Sequence, residues 1–183
     1  MNIYLTSYGI DTRYDQYMNS YDEIISLLKD KKVVIIPNAK LLSEDRTSSI
    51  IAKEELSKNG IESKIVDIDR EQLNLKEYNA LYLSGGEPKH LMDSINYAHL
   101  NNTIKQFIDD GGIIIGQSAG AMIFNKKYLD TTTDKLLIIE NGFDYFDKII
   151  VPHYDNLPKE ILEQIPNDIL KIKDRDKLIK LIR

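Results

Sequence analysis

Three runs of consecutive apolar residues limit what this chain can fold into: Val33-Val34-Ile35-Ile36, Ala80-Leu81-Tyr82-Leu83 and Ile113-Ile114-Ile115. A strand that is apolar at successive positions must be covered on both faces, which is the condition of a strand inside a parallel sheet flanked by helices. Ile3-Tyr4-Leu5 and Ile65-Val66 are shorter runs of the same kind. Between Ile3-Tyr4-Leu5 and Val33-Val34-Ile35-Ile36, the residues Tyr14, Tyr17, Met18, Tyr21, Ile24, Ile25 and Leu28 have helical spacing, and Ser20-x-x-Glu23 offers a capping box. A helix over about 21–29 is expected, with an irregular or helical lead-in.

Ser43 should open a second helix carrying Ile50, Ile51 and Leu56 and stopping at Asn59-Gly60. Pro88 suits the first turn of a third, with Leu91, Met92 and Ile95 on its inner face, and 103–110 should make a short one ending at Gly111-Gly112. The resulting order, β-α-β-α-β-β-α-β-α, predicts an α/β protein with an open, doubly wound, mostly parallel sheet. Farther on, 125–134 reads as a polar loop and 136–139 and 149–151 as strands. The segment 169–182 reads as a hairpin with an acidic turn or, alternatively, as a helix.

With 183 residues, 42% hydrophobic and 29% charged, the chain is expected to form one domain spanning 1–183. A net charge of −5, with acidic and basic residues interspersed, argues against a nucleic-acid partner. The absence of cysteine removes disulfides, thiolate metal sites and cysteine nucleophiles. No run approaches the length of a membrane span and the first residues lack a secretory pattern, so a soluble cytoplasmic protein is expected. The 11 tyrosines suit packing better than a cofactor box. Nothing in the pattern sets an oligomeric state.

The run that carries chemistry is Gly111-Gly112-Ile113-Ile114-Ile115-Gly116-Gln117-Ser118-Ala119-Gly120-Ala121. A short apolar strand feeding G-x-S-x-G and then small residues is the sequence form of a nucleophile elbow, with Ser118 on a tight strand-to-helix turn. Ligands of open α/β sheets bind at the carboxyl ends of the strands. Ser84-Gly85-Gly86-Glu87-Pro88 falls at another such end and should lie beside Ser118 if the two strands pair. The N–H groups of Ala119 and Gly86 are the candidate oxyanion donors, although Gly85-Gly86 alone would read as an ordinary turn.

A serine hydroxyl needs a base. The chain has 3 histidines, of which His90 and His99 belong to the helix behind the Gly85-Gly86 loop and read as packed or solvated. His153, in Val151-Pro152-His153-Tyr154-Asp155, ends a β-like run and can face the strand-end crevice, so it is the candidate base.

Together, Ser84-Gly85-Gly86, Gly116-Gln117-Ser118-Ala119-Gly120-Ala121 and Val151-Pro152-His153-Tyr154 resemble the aspartyl dipeptidase (dipeptidase E) family of serine peptidases, in order and spacing, from Ile3 onward. That family is related to cyanophycinases and shares a flavodoxin-like three-layer sandwich with class I glutamine amidotransferases. The resemblance implies a peptidase of short peptides that uses serine, histidine and an acid, without cofactor or metal. It also implies an acid after the histidine, followed by a turn and an apolar strand. Asp174 matches that context, with Asp176 second; both would otherwise be ordinary turn aspartates.

Two positions depart from the family pattern. Glu87-Pro88 stands where the family loop reads Asn-Thr, which puts a carboxylate near the expected oxyanion donors. The stretch 153–174 has no arginine, whereas aspartyl dipeptidases use one there to hold the substrate's aspartate, a task that Lys159 or Lys171 would do poorly. Preference for aspartate is therefore not expected. Other readings are an α/β-hydrolase esterase or amidase, disfavoured because no histidine follows Asp155, and a non-catalytic member of the same fold. A nucleotide or flavin protein using Thr6-Ser7-Tyr8-Gly9 is disfavoured by the low glycine content of that loop.

Overall fold

The computed structural model describes residues 1–17, 19–41, 46–130 and 136–181. Up to the serine turn the elements are β1 (Asn2–Thr6), α1 (Tyr21–Leu28), β2 (Val33–Ile36), α2 (Thr47–Lys58), β3 (Ser63–Ile65), β4 (Ala80–Leu83), α3 (Pro88–Tyr97), α4 (Asn101–Asp109), β5 (Ile113–Gln117) and α5 (Ala119–Met122). Then come β6 (Lys127–Asp130), β7 (Leu137–Glu140), β8 (Ile149–Val151), α6 (Lys159–Leu162), β9 (Ile169–Lys171) and β10 (Ile179–Lys180). The main sheet has the order β10-β1-β5-β4-β2-β3, parallel throughout except for β10, which runs antiparallel to β1 at the edge.

The consecutive apolar positions split between two cores. Val33, Ile35, Ala80, Tyr82 and Ile115 face Ile24 and Leu28 of α1 and Ala52 and Leu56 of α2. Val34, Ile36, Leu81, Leu83 and Ile114 face Leu91, Met92 and Ile95 of α3 and Ile104, Phe107 and Ile108 of α4. One sheet with helices packed on both faces is the three-layer α/β architecture expected. Each fully buried Leu or Ile side chain contributes about 1.5–3 kcal/mol, so covering both faces outweighs the modest β-propensity of any one residue.

Several local expectations change. The capping box does not form: the Ser20 hydroxyl bonds Thr6 Oγ1 (3.0 Å) and donates to the Gly9 carbonyl, while the Glu23 carboxylate accepts the Leu178 N–H at 3.1 Å. Ser20 is thus used to hold the loop after β1. Ser43, the expected start of α2, lies outside the described residues, and the helix begins at Thr47 and stops before Asn59-Gly60.

Residues 127–130, read as loop, form β6, because Tyr128 and Leu129 bury and the strand pairs with β7. Among the described residues the expected C-terminal hairpin does not form. β9 pairs parallel with β8 and β10 pairs with β1, so the two apolar halves bury against different partners. The turn between them, which holds Asp174, therefore bridges the main sheet and the β8–β9 pair. Among the described residues, the remaining strands form two short sheets, β6–β7 and β8–β9. Among the described residues, no helix is long and apolar enough to cross a membrane.

Candidate active site

The main sheet register places the site at the carboxyl ends of β1, β4 and β5. Leu83 of β4 is level with Gly116 of β5, and Thr6 of β1 with Gln117, so the segments that follow leave the sheet side by side. Ser118 N–H donates to the Thr6 carbonyl at 2.9 Å, extending that ladder by one residue. The chain then turns sharply, with Ser118 at φ 49°, ψ −111°, a conformation non-glycine residues seldom adopt. α5 crosses close over β4: a Cβ on Gly120 would stand 2.3 Å from the Leu83 carbonyl oxygen, which excludes any side chain there.

Gln117, buried before the serine, is braced by the Tyr82 hydroxyl at 3.0 Å and bonds Ser48 Oγ at 3.0 Å. Burial drives the Tyr82 hydroxyl far above its ordinary pKa, so it stays a donor. Burial pushes the Asp11 carboxyl up, but Arg13, bonded through Nε (2.9 Å) and Nη2 (2.6 Å), outweighs it with help from Ser48 and holds the group below its usual range.

The Gly85-Gly86 loop follows β4 and touches the serine, since a Cβ on Gly85 would lie 3.2 Å from Ser118 Cβ. Gly86 has φ 149°, and a Cβ there would fall 2.2 Å from the Ala39 carbonyl oxygen. Neither the Gly86 N–H nor the Ala119 N–H donates to an acceptor among the described residues. Both are thus available to an oxygen bound near Ser118.

His153 follows Pro152 at the end of β8 and takes the left-handed conformation, φ 56°, ψ 27°. Its Nε2 is 3.1 Å from Ser118 Oγ and its Nδ1 is 2.7 Å from Asp174 Oδ1. A carboxylate accepts, so Nδ1 donates and Nε2 is left to accept the serine proton. The Asp174 carboxylate is fully buried. Its Oδ2 accepts from Asn156 Nδ2 and, at 3.4 Å, from the Tyr8 hydroxyl, and its backbone N–H donates to Asp155 Oδ1 at 3.0 Å. This arrangement can move a proton off Ser118 and keep the resulting imidazolium next to a negative charge.

Of the alternatives, Asp176 stays in the turn, accepting the Lys173 N–H at 2.7 Å. His99, two residues past the end of α3, is left-handed at φ 55°, and His90 pairs with Glu87 at 3.1 Å. Glu87 itself is turned toward α3 and does not cap it. Ser7, Tyr8, Asn156 and Gln117 were not singled out from the sequence as part of this site. The polar Thr6-Ser7-Tyr8-Gly9 stretch at a strand end was the available signal. Among the described residues, no group of three or more His, Asp or Glu could hold a metal ion.

The family model of Peptidase family S51 matches residues 3–181. The chain belongs to peptidase family S51. It is therefore a peptidase of a serine peptidase family. This S51 chain is 29% identical over 176 residues to an uncharacterized peptidase of Listeria monocytogenes, covering 90% of this chain and 83% of that one. It is 26% identical over 142 residues to an uncharacterized peptidase of Pasteurella multocida, covering 72% and 69%. Among solved structures it resembles a candidate peptidase E protein from Listeria monocytogenes, with TM-score 0.72, 25% identity and coverage of 94% and 90%. A peptidase from an acI-B1 actinobacterium shares the fold at TM-score 0.61 and 20% identity, covering 91% of this chain and 72% of that one.

Proposed function

We propose that this S51 peptidase cleaves short peptides through an acyl-enzyme on Ser118. The observation that supports this most is the line of contacts Ser118 Oγ, His153 Nε2, His153 Nδ1, Asp174 Oδ1, at 3.1 Å and 2.7 Å, assembled from three separate segments. Ser118 Oγ attacks the scissile carbonyl as His153 Nε2 takes its proton. The carbonyl oxygen becomes an oxyanion that the N–H groups of Gly86 and Ala119 receive. His153 returns the proton to the leaving amine as the C–N bond breaks, leaving an ester on Ser118. Water, deprotonated by His153, then attacks the ester, and the proton passes back to Ser118 as the acid product leaves. Asp174 keeps the imidazole in the tautomer and orientation that both halves need.

The test is labelling of the purified protein with a fluorophosphonate, beside Ser118→Ala and His153→Ala. Labelling of the unmodified protein that disappears in both variants is the expected result. An unmodified, folded protein that takes no label would overturn the proposal.

A further inference from the structure

The tripeptide after the body of β1 touches each of the three segments that carry the site. The Thr6 carbonyl accepts the Ser118 N–H at 2.9 Å. Ser7 Oγ accepts the His153 N–H at 3.1 Å and lies 3.3 Å from the Ile172 carbonyl to which it donates. Both contacts hold backbone. Tyr8 differs, because it meets the two side chains that would handle the proton: its ring stands edge-to-face with the His153 imidazole, centroids 4.6 Å apart at 68°, and its hydroxyl is 3.4 Å from Asp174 Oδ2. Tyr14 in turn stacks on the Tyr8 ring, centroids 4.5 Å apart at 29°, so the Tyr8 ring is itself packed.

We propose that Tyr8 is a positioning residue for His153, acting chiefly through its ring. The inference rests on the serine-peptidase reading above. During the reaction the imidazole loses its bond to Ser118 Oγ and must turn to the leaving amine and then to water. Two contacts persist through those steps, the Asp174 bond on one ring nitrogen and the Tyr8 ring against the imidazole. The Asp174 bond alone leaves the ring free to rock about the Nδ1–Oδ1 line, and Tyr8 blocks that motion. The hydroxyl is secondary. At 3.4 Å it is well beyond the usual O–H···O separation of about 2.7–2.8 Å, and Asn156 already serves the same carboxylate oxygen.

The test compares Tyr8→Leu and Tyr8→Phe with the unmodified protein by fluorophosphonate labelling and peptide cleavage, together with imidazole ¹⁵N and ring-proton spectra. Tyr8→Leu should lose about 100-fold in kcat and labelling rate with KM little changed, the cost expected for a catalytic group displaced by about 1 Å. Tyr8→Phe should stay within about fivefold, since it removes one long hydrogen bond. Equal losses in both variants, or full activity in Tyr8→Leu, would overturn the proposal. Should Tyr8→Leu not fold, the unmodified protein still decides: His153 should show one tautomer, protonated at Nδ1, and ring protons shifted by the Tyr8 ring. Mixed tautomers and unshifted ring protons would sink the inference. The spectra need no activity, so a protein that holds His153 this way yet takes no label would refute the peptidase mechanism and leave the positioning intact.

Discussion

His153 Nδ1 lies 2.7 Å from Asp174 Oδ1, although 21 residues separate the two in the chain and they sit on different sides of α6 and β9. The contact exists because β8 and β9 run parallel in register, Val151 level with Lys171, so the residues just beyond each strand emerge at the same end.

Replacing Asp174 with asparagine should leave the fold intact and reverse the hydrogen bond, since an amide nitrogen facing Nδ1 would draw the proton to Nε2. By analogy with the same change in the serine protease template, kcat should fall about 10⁴-fold. Asp176→Asn, which alters a turn, should stay within about twofold of the unmodified rate, as surface substitutions usually do. Labelling rates of the two variants measure the contrast, and equal effects would remove Asp174 from its proposed role.

Gly86→Ala should cost about 1–3 kcal/mol, because an L-residue at that φ is strained and its Cβ would press on the Ala39 carbonyl. In a chain of this size that lowers the melting temperature by about 2–4 °C per kcal/mol, and a thermal melt reads it directly. Labelling should fall too, as the Gly86 N–H shifts. An unchanged melting temperature would show that the loop relaxes without strain.

The Asp11 carboxyl sets an acid limit. Its pKa is lowered in the folded state, so the unfolded chain binds the proton more readily. The stabilisation is therefore complete above the unfolded value of about 3.9 and disappears as pH drops through the lowered folded value. Melting temperature against pH should fall more gently below about pH 4 in Asp11→Asn than in the unmodified protein. Identical slopes would count against the Asp11–Arg13 pair as the cause.

On a panel of dipeptides, no strong preference for an aspartate first residue is expected, since 153–174 offers no guanidinium to hold it. Glu87→Gln should raise the rate on acidic dipeptides relative to neutral ones by at most about fivefold, because an exposed charge contributes up to about 1 kcal/mol. A large preference for aspartate in the unmodified protein would mean that a cation from another segment reaches the crevice.

The central layers were legible because burial on two faces leaves a direct trace: Val33 to Ile36 has no polar position to misread. The serine turn was legible for a similar reason, since the close crossing of α5 over β4 admits only glycine at 120. Ser20 was misread because a hydroxyl suited to capping was claimed by Thr6 and Gly9, partners brought in by tertiary folding. The hairpin at 169–182 was misread because alternation of apolar residues predicts a strand without naming its partner. Asn156 left no pattern at all and Tyr8 only its place in a polar strand end; their meaning depends on where β1 and the turn after β8 meet in space.

Joining β10 to β1 has a kinetic consequence. The contact between Tyr8 and Asp174 spans 166 residues, among the longest separations this chain has to close, whereas the Ser118 turn is held by β1, β4, β5 and α5 without the C-terminal strands. On refolding from denaturant, helical signal and sheet should therefore return before the serine becomes reactive. Regained labelling at Ser118 would then mark the last closure, so that residue would serve as a clock for the final step of folding.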